Sequence, residues 1–159
     1  MSVQATYGAP RTPTGKIVST IAAAMIASML LAQLFSFEDF AVTLGAVLPF
    51  NDMVATKVFA AGIVAVELLA LPYLLSMYLS MLMRITCASA AIAIALFWLM
   101  ITLTNAHAQN SALFSTTINV SGGIIAALWA FIISALIAAT IYGDTRDRSN
   151  PLEKKPKLR

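Results

Sequence analysis

The sequence predicts an all-α fold: a bundle of four transmembrane helices, with a short interfacial or re-entrant amphipathic segment between helices 1 and 2. Three observations predict it. The 159-residue chain is 60% hydrophobic and 11% charged, with a mean hydropathy of +0.86, whereas soluble domains carry about 25% charged residues. Four apolar runs are each long enough to cross a hydrocarbon core of roughly 30 Å at about 1.5 Å per residue. The basic residues also sort by side. With four crossings, Arg11, Lys16, Arg84, Arg146, Arg148, Lys154, Lys155, Lys157 and Arg159 share one side, and only Lys57 faces the other. Basic residues gather on the cytoplasmic side of membrane proteins, which predicts cytoplasmic N- and C-termini. An odd number of spans would scatter these charges.

The elements follow in order. Residues 1–14 are polar, with Gly8, Pro10 and Pro13, and read as a flexible cytoplasmic tail. The four-helix membrane domain occupies residues 15–142. Its first span is 17–35, introduced by Lys16. That run is longer than the core of a cleaved signal peptide, so it is expected to stay. Residues 36–52 are too greasy for a solvent loop, with Phe37, Phe40, Leu44 and Phe50 following Phe35, yet too short and too charged to span. They predict a half-helix at the mouth of the bundle. The second span, 54–83, exceeds a straight crossing, and tilt or a kink at Pro72 would absorb the excess.

Arg84 then forms a very short turn before the third span, 85–104. The early half of that span is nearly all small. Cys87, Ala91 and Ala95 recur every four residues and would let helices approach closely in lipid. An uncharged loop over 105–117 leads to the fourth span, 118–142, with Gly122, Ala126, Ala130 and Ser134 on one stripe. Residues 143–159 form a basic cytoplasmic tail, in which Pro151 and Pro156 oppose further helix.

Several classes are excluded. Cys87 is the one cysteine, so an internal disulfide, a CxxC pair and a cysteine zinc site are ruled out. One histidine cannot supply both ligands of a bis-histidine haem. No phosphate loop, Ser-His-Asp set or metal signature occurs, and no catalytic or metal-ligating residue is assigned. The net charge of +3 sits at the chain ends beside apolar segments, where topology accounts for it without nucleic acid.

Glu67 is the residue to explain. A charged side chain in mid-bilayer costs about 2.5–3.5 kcal/mol on insertion scales, so it should face the bundle, in its neutral form. Its expected partners are Ser28, the indole of Trp98 or Trp129, or the carbonyl of Leu68, which Pro72 leaves without its usual N–H donor. These residues form a candidate intramembrane polar site. It would act as an interhelical clamp, or as a proton, ion or quinone-like ligand site. Gln33, Glu38, Asp39, Asp52 and His107 form a candidate outer surface for a ligand or partner. The acids match no calcium loop, and His107 reads as a solvated loop residue. Cys87 reads as packing.

A resemblance rests on two stretches. Leu31-Ala32-Gln33-Leu34-Phe35-Ser36-Phe37-Glu38-Asp39-Phe40 leaves the first span for an amphipathic loop closed by Leu48-Pro49, and the second span carries Val66-Glu67-Leu68-Leu69. This order resembles the DoxX/MauE superfamily of small four-helix membrane proteins, over the architecture of residues 17–142 and in sequence over 31–75. The resemblance implies association with membrane redox systems, as a subunit beside quinone-linked oxidoreductases or a helper in dehydrogenase maturation. Ser36 stands where members often carry a basic residue. The loop 105–117 lacks the cysteine pair of the MauE-like branch, which leaves an accessory role rather than thiol–disulfide work.

The expected function is therefore that of a non-catalytic accessory subunit of a prokaryotic cytoplasmic (inner) membrane complex. Other membrane subunits or further copies of the chain would be its partners, with membrane lipid around it. No cofactor is identifiable, although a quinone or lipid would suit the Glu67 site. The alternative is a small proton, ion or solute transporter or channel that uses Glu67.

Overall fold

A computed structural model describes residues 12–48, 52–104 and 124–149. Among the described residues five helices follow one another: α1 (Pro13–Phe35), α2 (Phe37–Val47), α3 (Met53–Leu74), α4 (Met81–Thr104) and α5 (Ile124–Ser149). Four of them, all but α2, are long and apolar enough to cross a membrane. The molecule is an integral, multi-pass membrane protein.

Local chemistry sets the helix ends. Pro13 opens α1 at its first position, where a missing N–H costs nothing, and Thr12 caps it by accepting from Gly15 N at 3.2 Å. The helix thus begins four residues ahead of the apolar run. Ser36 alone separates α1 from α2, its hydroxyl donating to the Ala32 carbonyl at 3.0 Å. Glu38 and Asp39 occupy the first turn of α2, where acids suit the positive end of the helix dipole. Asp52 caps α3 by accepting from Val54 N at 3.0 Å.

Two boundaries differ from the sequence expectation. The second span ends at Leu74 rather than Met83, with a stop where a kink was expected. Ser76 adopts a left-handed φ of 57°. Its N–H reaches the Tyr73 carbonyl at 3.2 Å, and Met77 N reaches the Pro72 carbonyl at 3.1 Å. Those two bonds make a Schellman closure. Arg84 consequently lies not in a turn but in the first turn of α4, which begins at Met81 behind a Ser80 hydroxyl that accepts from Met83 N at 3.3 Å. At the other end of the chain, α5 continues past Tyr142 to Ser149, two residues before Pro151 would stop it.

The spans close a ring in which α1 packs on α3 and α5, and α4 packs on the same two. Neighbours run antiparallel: Trp129, early in α5, meets Met29, late in α1, while Arg84, early in α4, meets Asp144, late in α5. The buried stripes repeat every three or four residues: Ser19, Ala22, Ile26, Met29 and Gln33 on α1, and Thr56, Ala60, Ile63, Glu67, Ala70 and Leu74 on α3. The small residues Cys87, Ala91, Ala95, Ala126 and Ala130 are all buried between helices. Lipid gives helices little hydrophobic reason to associate, so close packing through small residues carries this contact.

Amphipathic α2 lays Phe40, Ala41 and Leu44 against the bundle, mainly on α3. It approaches closely at Gly45, where a Cβ would stand 3.1 Å from Thr56 Cγ2.

Candidate functional site

Glu67 sits on the buried stripe of α3 and is fully enclosed. Its Oε1 accepts from Trp98 Nε1 of α4 at 2.7 Å and from Gln33 Nε2 of α1 at 3.4 Å. One carboxyl oxygen thus joins three spans. Interhelical hydrogen bonds in membranes are worth about 0.6–2 kcal/mol each. The other oxygen, Oε2, is buried with no hydrogen-bond partner among the described residues. A buried polar atom left so costs about 1–3 kcal/mol.

Aromatic rings wall the cluster. Phe40 of α2 lies 6.4 Å from the Trp98 ring, and Phe97 meets Trp98 edge-on at 5.3 Å. Phe40 is itself fully buried, so α2 helps enclose the indole. Edge-on and tilted aromatic pairs add about 0.5–1.5 kcal/mol beyond area burial.

The candidate residues separate in space. Gln33 belongs to this inner cluster, not to the outer surface, because it continues the α1 stripe of Ile26 and Met29 at helical spacing. Ser28 turns outward instead, its hydroxyl donating to the Met25 carbonyl at 2.8 Å. Trp129 donates its N–H to Met29 Sδ at 3.3 Å, not to Glu67. Pro72 lies in the closing turns of α3, a turn beyond Glu67. The outer acids take separate tasks. Glu38 pairs with Lys57 at 2.6 Å, Asp39 sits on the exposed first turn of α2, and Asp52 caps α3. Among the described residues no group of three or more His, Cys, Asp or Glu could hold a metal ion. His107, the loop 105–117, Gly122 and most of both tails lie outside the described residues.

Sequence reasoning missed a second polar site. Arg84 and Asp144 form a buried ion pair between α4 and α5. It lies fourteen residues along α4 from Trp98, about 21 Å at helical rise. The signal was present, since Arg84 precedes Cys87 and Ala91 by three and seven residues on the same face. Placing Arg84 in a turn concealed it.

Comparison with protein-family models, curated proteins and solved structures finds no match for this chain. Fold and site together define a four-helix integral membrane protein with one carboxyl at the junction of three spans.

Proposed function

We propose that this protein is a non-catalytic accessory subunit of a prokaryotic inner-membrane complex, redox- or quinone-linked, as its likeness to the DoxX/MauE group implies. One observation carries the reading: the Glu67 carboxyl is engaged from two other spans, by Trp98 and Gln33. A group so held fixes the register of helices. In this reading Glu67 is a clamp, both termini are cytoplasmic, and the bundle presents a rigid apolar exterior to neighbouring subunits and lipid. Purification of the full chain from its native membrane in mild detergent, followed by mass spectrometry, tests it. Stoichiometric co-purification of another membrane protein is expected. Recovery as a lone monomer would overturn the proposal.

A second reading has its own observation. Glu67 Oε2 lacks a partner among the described residues, as an oxygen that accepts a proton or a ligand donor would. This is the small transporter or channel. It predicts proton or ion flux into liposomes that Glu67→Gln abolishes while the protein stays folded.

A further inference from the structure

A groove of about 500 Å³ opens outward between α3 and α4. That volume falls within the roughly 300–1,000 Å³ of small-molecule sites. Gly62 in its lining leaves room, since a Cβ there would meet nothing within 4 Å. Two other lining residues, Ile63 and Ile94, are buried one turn from Glu67 and Trp98 on the same stripes. Helical side chains lean towards the N-terminus of their own helix, so Glu67 leans towards Ile63 and Trp98 towards Ile94. Aromatic rings link the groove to the carboxyl. Phe59 and Phe97 both line it and meet edge-on at 6.0 Å, and Phe97 meets Trp98 at 5.3 Å. Trp98 in turn donates to Glu67, whose Oε2 is buried with no hydrogen-bond partner among the described residues.

We propose that this groove admits a lipophilic organic monocation, of the quaternary ammonium or phosphonium kind, which Glu67 binds as its counter-charge. The inference rests on the transporter reading and names its substrate class. An acyl chain could fill the groove, but it offers nothing to the buried oxygen. A cation does, and the faces of Phe59, Phe97 and Trp98 attract it. Apolar substituents on that cation suit the lining. With Oε1 accepting two hydrogen bonds, the proton of the neutral acid sits on Oε2. Binding breaks that O–H bond, the proton passes to water, and the carboxylate takes the cation. The buried site then holds a paired charge rather than a lone one. Gln33 of α1 and Trp98 of α4 face the carboxyl, and neither is charged. The other titratable groups on the buried stripes of α3 and α4 are Tyr73, Cys87 and Arg84. Arg84 is committed to Asp144 of α5, and Glu38 of α2 to Lys57.

Equilibrium dialysis of radiolabelled tetraphenylphosphonium against the full chain in mild detergent tests the assignment, with proton release followed in weak buffer. Wild type is expected to bind the cation and to release one proton for each cation bound. Glu67→Gln should lose binding while keeping its Tm. Gly62→Leu, which fills the groove, should lose it as well. Phe97→Leu should weaken binding about tenfold, the size of a desolvated cation–π contact. Ala138→Phe, in the separate groove between α4 and α5, should change nothing. Triphenylmethanol, a neutral hydroxyl donor of similar shape, should not compete. Full binding in Glu67→Gln or Gly62→Leu, competition by the alcohol, or binding without proton release would each overturn the proposal. Ion flux that Glu67→Gln abolishes, in a chain that binds no tetraphenylphosphonium, would overturn it and leave the transporter reading standing. Absence of both flux and binding would remove the two together.

Discussion

At the scale of residues, the energetics turn on what happens when one member of a buried polar set is removed. Glu67→Gln keeps an oxygen able to accept from Trp98 and Gln33, so the clamp reading expects little loss of stability. Glu67→Leu strands the Trp98 indole N–H in an apolar interior and should cost about 1–3 kcal/mol. Thermal unfolding in detergent, followed by tryptophan fluorescence, separates the two. Equal losses in both variants would show that the carboxyl does more than accept two hydrogen bonds. Ser76 makes a second residue-scale case. A non-glycine residue in the left-handed region costs about 1–2 kcal/mol, and glycine is the usual occupant of that cap position. Ser76→Gly should therefore raise stability by several tenths of a kcal/mol, after the greater freedom of glycine in the unfolded chain is subtracted. An unchanged or lower Tm would count against the Schellman closure.

At the scale of elements, α2 is the part whose attachment can be dissected. Its ion pair with α3, Lys57–Glu38, leaves Glu38 mostly exposed, and such surface pairs are worth about 0.2–1 kcal/mol. Its apolar face is worth more. Truncating a buried phenylalanine costs about 3–5 kcal/mol. Phe40→Ala should loosen α2 far more than Lys57→Ala does, and hydrogen exchange over residues 37–47 should report it. Comparable exchange in the two variants would mean that α2 is held by its ion pair. Because Phe40 packs against the indole that donates to Glu67, the same variant should also shift the Trp98 fluorescence.

At the scale of the whole molecule, the ring of spans is joined at two depths, by the Glu67 cluster and by the Arg84–Asp144 pair. Breaking a buried pair from one side leaves an uncompensated charge, at about 3–5 kcal/mol. Arg84→Ala alone should therefore destabilise the bundle more than Arg84→Ala combined with Asp144→Ala. If the double variant were the less stable, an uncompensated Asp144 charge would not be what destabilises Arg84→Ala. The proposed orientation is also tested at this scale. Reporter fusions at both ends should fall on the cytoplasmic side, and a split result would break the four-crossing topology.

By itself the sequence determined the number and kind of the spans, because hydrophobic length is a local property and bilayer thickness sets its threshold. It also singled out Glu67, because a lone acid in an apolar run is conspicuous without coordinates. Only the tertiary structure decided which partners that acid meets. Trp98 lies thirty-one residues away and Gln33 thirty-four, and which of several polar side chains reaches the carboxyl depends on how three helices are rotated. That rotation left Ser28 and Trp129 outside the cluster and brought Gln33 in. The helix stop after Pro72 was equally hidden, since an internal proline can kink a helix or end it. The outcome rested on a Ser76 conformation that composition does not favour. From that stop follows the placement of Arg84 inside α4, where it meets a residue sixty positions further along the chain.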